Sequence, residues 1–108
     1  MAEEIYSVSD DTFEEEVLKA GILVLVDFWA DWCPPCYIVV PSLTNLAQQY
    51  RDKMKVLKMN VDENKQTPSR YGIISLPSLL LFKGGELKET LVGALPQDTI
   101  EEAIAKHL

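Results

Sequence analysis

The sequence predicts an α/β fold: one mixed sheet of about five strands flanked by about four helices. Three observations carry this. The run Ile22-Leu23-Val24-Leu25-Val26-Asp27-Phe28-Trp29-Ala30 is almost continuously apolar, which marks a central strand covered on both faces. Strand-like and helix-like stretches alternate along most of the chain, so the early strands should be parallel. Near the end, Lys83-Gly84-Gly85-Glu86 reads as a hairpin turn, so the last two strands should be antiparallel. The order is βαβαβαββα, in a single domain over residues 1–108.

Each element has its own reason. Ile5-Tyr6-Ser7-Val8 is a short strand. Ser9-Asp10-Asp11 supplies N-cap chemistry for a helix over Thr12–Lys19, whose apolar stripe is Phe13, Val17 and Leu18. Gly21 ends that helix, where a left-handed residue costs little. In the central strand Asp27 stands out. Neither face of that strand leads to water, so desolvation should raise its pKa. Behind it could lie either a buried carboxylate satisfied by hydrogen bonds or a proton acceptor.

A helix follows Cys33 and runs to about Tyr50. Pro35 suits its first turn, and Pro41 should kink it. Ile38, Leu43, Leu46 and Ala47 are its core positions. Lys55–Val61 alternates as a strand, with Lys58 in its middle as a solvent-facing or snorkelling lysine. Asp62-Glu63-Asn64 opens a short helix to about Tyr71, weakened by Pro68 and stopped by Gly72. Leu79–Phe82 and Leu87–Val92 pair across the hairpin. Pro96–Leu108 is the last helix, with Ile100, Ala103, Ile104 and Leu108 on one face.

Composition excludes several functions. The net charge is −7, and seven of the 17 acids lie before residue 17 with no base before Lys19. Nucleic acid, whose phosphates need Lys and Arg, is an unsuitable partner. The Glu14-Glu15-Glu16 run reads as a solvated helix face. Met1-Ala2-Glu3-Glu4 is acidic and lacks the apolar core of a signal peptide, and no apolar run is long enough for a membrane span. A cytoplasmic location is the expectation.

The only two cysteines stand in Trp32-Cys33-Pro34-Pro35-Cys36, between the central strand and the following helix. Unpaired N–H groups and the macrodipole at a helix start favour a thiolate. A second thiol in reach can attack a mixed disulfide formed on the first. A structural disulfide closing so short a loop would add only about 2 kcal/mol in the chain-entropy model. A zinc site would want four ligands, and two sulfurs plus remote His107 do not supply them. An inert pair on a binding module is the third alternative. Redox exchange fits the pair best.

Taken together, the residues resemble the thioredoxin family over essentially the whole chain. The resemblance rests on Val26-Asp27-Phe28-Trp29-Ala30, Trp32-Cys33, Pro35-Cys36, Pro41, Asn60-Val61-Asp62, Tyr71-Gly72-Ile73, Leu76-Pro77-Ser78, Phe82-Lys83, Gly85 and Val92-Gly93-Ala94. It implies a thioredoxin fold and a protein-disulfide reductase working through a Cys33–Cys36 dithiol/disulfide, with no metal and no bound cofactor. Cys33 would be the attacking thiolate, Cys36 the resolving thiol and Asp27 the group that takes the Cys36 proton. Lys58 would lie near Asp27, and Pro77 would be a cis proline facing the disulfide. Trp32, Leu76, Pro77, Gly93 and Ala94 would form an apolar rim for the substrate chain. Implied partners are disulfide-bearing target proteins and an NADPH- or ferredoxin-linked thioredoxin reductase, with the chain itself monomeric and serving electron transport.

Two positions depart from the family pattern. Pro34 stands where Gly is common, and Tyr37 where Lys or Arg is common. Pro34 removes an N–H at the mouth of the site and Tyr37 removes a positive charge, so both should make the Cys33 thiolate less favoured. Pro34 and Pro35 are therefore redox-tuning positions, with Lys58 and Pro77. Rival readings are a thiol oxidant or isomerase and a redox-idle binding subunit. The first is disfavoured by Pro34-Pro35 where such relatives often carry His, the second by intact Cys33, Cys36 and Asp27.

Overall fold

A computed structural model describes residues 4–108. Met1–Glu3, part of the stretch read as lacking a leader, lie outside the described residues. The elements are β1 (Ile5–Ser7), a π-helical turn (Glu14–Leu18), β2 (Leu23–Trp29), α1 (Pro34–Ile38), α2 (Val40–Gln49), β3 (Met54–Asn60), α3 (Gln66–Arg70), β4 (Ser78–Lys83), β5 (Glu86–Val92) and α4 (Gln97–Ala105). The five strands form one sheet in the order β1-β3-β2-β4-β5. β3 runs parallel to both β1 and β2, while β4 is antiparallel to β2 and β5. The mixed thioredoxin-type sheet expected from the sequence is present.

Strand alternation sorts the core into two layers. Leu23, Leu25, Val56, Leu79 and Leu81 face α2 and α4, where Val39, Leu43, Leu46, Ala47, Ile100, Ala103 and Ile104 meet them. Val24, Val26, Phe28, Leu57, Met59, Leu80 and Phe82 face the other way, onto Val8, Phe13 and Val17. Position 27 shares the parity of 23 and 25. Asp27 therefore points under α1 and α2 and not to solvent.

Several local expectations are corrected. The helix expected from Cys33 to Tyr50 is two helices, because Pro41 has no N–H for the ladder and the chain breaks at Val39. Ile38, expected in the core, is 69 % exposed, and Val39 is buried in its place. Val39, Leu43, Leu46 and Ala47 keep the i, i+4, i+7, i+8 spacing of one helix face, which Ile38 does not. The helix expected over Thr12–Lys19 shrinks to the Glu14–Leu18 turn. Gly21 is not left-handed; the positive-φ glycines are Gly72, Gly84, Gly85 and Gly93. Lys19, not Gly21, caps the turn. Leu108 lies past the end of α4 and is 43 % exposed.

Asp10 caps a helix, though not its own. Its carboxylate accepts the Gln66 and Thr67 N–H groups at 3.1 and 2.8 Å and the Thr67 hydroxyl at 2.6 Å. Ser9 and Thr12 meanwhile cap reciprocally, at 3.0 Å from the Ser9 N–H to Thr12 Oγ1 and 3.3 Å from the Thr12 N–H to Ser9 Oγ. Burial pushes the Asp10 carboxyl up, but the bonds from Thr67, Gln66 and Lys65 outweigh that and hold it below the ordinary carboxylate value. Asp10 thus fastens the start of α3 to the first segment of the chain. Asp10→Ala should cost about 1–2 kcal/mol in urea unfolding at neutral pH. The loss should fade in acid, where the wild-type carboxylate also protonates. An unchanged midpoint would remove Asp10 from this role.

Candidate active site

The site is built where β2 ends. β2 leaves the sheet at Trp29, and the Cys33 N–H returns to the Ala30 carbonyl at 3.2 Å, closing a tight turn. Cys33 is the N-cap of α1 with extended backbone angles, and Pro34 and Pro35 form its first turn. Neither proline has an N–H, so the first amide hydrogen after Cys33 belongs to Cys36, which donates to the Cys33 carbonyl at 3.1 Å. Cys33 and Cys36 are joined in a disulfide, with Cα atoms 5.4 Å apart. Pro34, Pro35 and Trp32 are exposed around it, while Cys33 and Cys36 themselves are set deep at 4 % and 2 % exposure.

Beneath the disulfide is a cavity of about 210 Å³ lined by Asp27, Trp29, Cys36, Tyr37, Val40 and Lys58. Asp27 and Lys58 stand opposite each other on adjacent parallel strands, which brings them to the same face of the sheet. Asp27 Oδ1 is buried with no hydrogen-bond partner. Burial pushes the Asp27 carboxyl up to about 7, against the opposing pull of the Lys58 ammonium. A carboxyl of that kind can hold or release a proton near neutral pH. Lys58 is half-buried, with its ammonium 5.7 Å from the centre of the Trp29 ring.

Tyr37 does more than withhold a charge. Its hydroxyl donates to the Asp31 carbonyl at 3.0 Å, and its ring meets Trp29 edge-on. It thereby braces the segment that leads into Cys33.

The other expected site residues come from three loops. Leu76 packs on the cluster made by Ala30, Cys33 and Cys36. Pro77 follows it through a cis peptide bond. The Gly93 N–H donates to the Pro77 carbonyl at 2.8 Å, which ties the loop after β5 to the proline loop; Gly93 has φ +96°, which glycine adopts at little cost. Ala94 beside it is exposed. Trp32 is 67 % exposed, and its indole N–H donates to Asp62 Oδ2 at 2.8 Å. The Trp32–Asp62 contact spans 30 residues, and no local spacing announces it. The chain thus brings Asp27, Cys36 and Lys58 to one cavity, and Trp32 and Leu76 to one depression, with Leu76 also packed on the cysteines. Among the described residues, no group of three or more His, Cys, Asp or Glu is arranged to hold a metal. The disulfide is the redox group.

Comparison with known proteins agrees with this geometry. The thioredoxin family model matches residues 4–106. The chain is 52 % identical over 101 residues to thioredoxin 1 of Nostoc sp., covering 94 % of each chain. It is 51 % identical to thioredoxin 1 of Synechococcus elongatus, covering 94 % of this chain and 95 % of that one. With the M-type chloroplastic thioredoxin of Chlamydomonas reinhardtii the identity is 47 %, over 94 % of this chain and 73 % of the other. A match of that length, carrying a reducible cysteine pair at the start of α1, places the chain in the thioredoxin family of protein-disulfide reductases.

Proposed function

We propose that Cys33 is the thiolate that attacks a target disulfide, and that Cys36 resolves the mixed disulfide after giving its proton to Asp27. The observation that carries this is the shared cavity: Asp27, whose buried Oδ1 has no hydrogen-bond partner, and Cys36 line the same space. The step balances within the two proteins. The Cys33 sulfur bonds to one target sulfur and the other leaves as a thiolate. The Cys36 thiolate then attacks the Cys33 sulfur, breaks its bond to the target sulfur held there, which leaves as a thiolate, and forms the Cys33–Cys36 bond, so two electrons pass to the target.

Lys58 sits where it biases the Asp27 proton, and Pro77 shapes the loop beside the sulfurs. Trp32, Leu76, Pro77, Gly93 and Ala94 receive the target backbone. A thioredoxin reductase, NADPH-linked or ferredoxin-linked, recharges the pair, and the chain acts as a single-domain monomeric electron carrier in the cytoplasm. Among the described residues no helix is long and apolar enough to cross a membrane.

Limited alkylation tests the assignment. Reduced protein given a shortfall of iodoacetamide should carry the label on Cys33 well before Cys36, as read by peptide mass. Labelling that favours Cys36 would reverse the two roles. In Pro34→Gly an N–H returns to the first turn of α1, so the midpoint of the alkylation pH profile should fall. A midpoint that stays or rises would deny Pro34 its tuning role.

A further inference from the structure

We propose that Ile74 is a specificity residue, selecting target segments that set an uncharged apolar side chain beside the disulfide to be reduced. This rests on the disulfide exchange at Cys33 and Cys36. Ile74 lies in the loop between α3 and Pro77 and is 95 % exposed, more than Trp32 or any other exposed large apolar residue described. The fold does not need an apolar side chain there, since its neighbour Ile73 supplies the packing onto the core.

Ile74 does border something. With Trp32, Val61, Pro68, Ile73 and Leu76 it lines a depression of about 190 Å³. Drug-sized ligands occupy pockets of about 300–1,000 Å³, so this one suits a single large side chain. Val61 and Leu76 also pack against Cys33 and Cys36, so the depression is continuous with the surface on which a target disulfide must react. The one polar group on the Trp32 ring is already engaged by Asp62, leaving that ring to offer apolar contact. An Asp or Glu of the target placed here would lose water and find no partner among the six lining residues. A Leu, Ile, Phe or Met would cover Ile74 and exclude water from both.

The test uses synthetic peptides with one cysteine held as a mixed disulfide to a chromophoric thiol, identical except for Leu or Glu near that cysteine. Rates are measured with the reduced full chain, and the symmetric disulfide of the chromophore serves as a small substrate without a peptide. Wild type should favour the Leu peptide over the Glu peptide about ten-fold. Ile74→Ala should shrink that preference, and Ile74→Lys should abolish or invert it, with the small-disulfide rate unchanged within about two-fold. Equal rates for both peptides in wild type, or the same preference in Ile74→Lys, would overturn the proposal. So would a wild-type preference that vanishes at low protein concentration alongside a dimer that Ile74→Lys dissolves, since a second copy would then own the patch. A wild type inert even to the small disulfide would instead refute the redox reading itself.

Discussion

Replacing Cys36 with serine should end catalytic turnover while leaving the first chemical step intact. In an insulin-disulfide assay with an external reductant, the expected fall is on the order of 10³-fold or more, because a solution thiol must then do what a positioned neighbour did. The substituted protein should accumulate as a mixed disulfide on Cys33, visible as a mass addition that dithiothreitol removes. Thiol acidity alone cannot supply such a factor. Lowering any thiol pKa from about 8.5 to about 7 raises its thiolate fraction at neutral pH roughly 15-fold. The accompanying loss of nucleophilicity takes back about five-fold. The net is about three-fold, so the proposed mechanism draws most of its rate from in-line docking and from a second thiol held 5.4 Å away, Cα to Cα. Turnover in Cys36→Ser within ten-fold of wild type would remove Cys36 from the resolving role.

The sheet and the disulfide site were legible because their signals are local. The run before the cysteines, apolar but for Asp27, marked a covered strand, and the paired glycines at Gly84 and Gly85 marked a tight turn. The helix after Cys33 was half legible. Pro41 announced the break, but Ile38 was assigned to the core although only Val39 keeps helical spacing with Leu43, Leu46 and Ala47. Asp10 shows a different limit. Its side-chain type declared a cap, yet the helix it serves begins more than fifty residues later and is reached only through the fold. Trp32 bonds to Asp62, and shares a depression with Ile74, for the same reason: segments that are distant in sequence share one end of the sheet. Asp27 was legible as a buried acid because strand parity and burial suffice for that. Its lack of a partner at Oδ1 was not, since that depends on what α1 and β3 place around it.

That buried acid should make the protein less stable than it could be, by an amount that depends on pH. The Asp27 carboxyl has an ordinary value of 3.8 and stands at about 7 in the fold. Between those values the folded state holds a proton that the unfolded state releases, so stability falls as pH rises from about 4 to about 7. At 1.36 kcal/mol per pH unit the gap amounts to about 4 kcal/mol. Asp27→Asn keeps the shape and removes the titration. It should therefore be more stable than wild type by up to about 4 kcal/mol at pH 8, and no more than about 1 kcal/mol different at pH 4. In urea that is a midpoint shift of up to about 1–4 M at the higher pH, for slopes of about 1–3 kcal/mol per M. Lys58 loses its counter-charge in the variant but is only half-buried, so water compensates it. The same change should slow disulfide reduction at neutral pH, by about 10²-fold if proton removal from Cys36 limits the rate. The deficit should narrow in base, where Cys36 ionises unaided. No stabilisation at pH 8 would mean that Asp27 is not held in a desolvated site. Stabilisation without any change in the pH–rate profile would leave it buried but idle. Only the two results together make the acid an expense of folding that the chemistry retains.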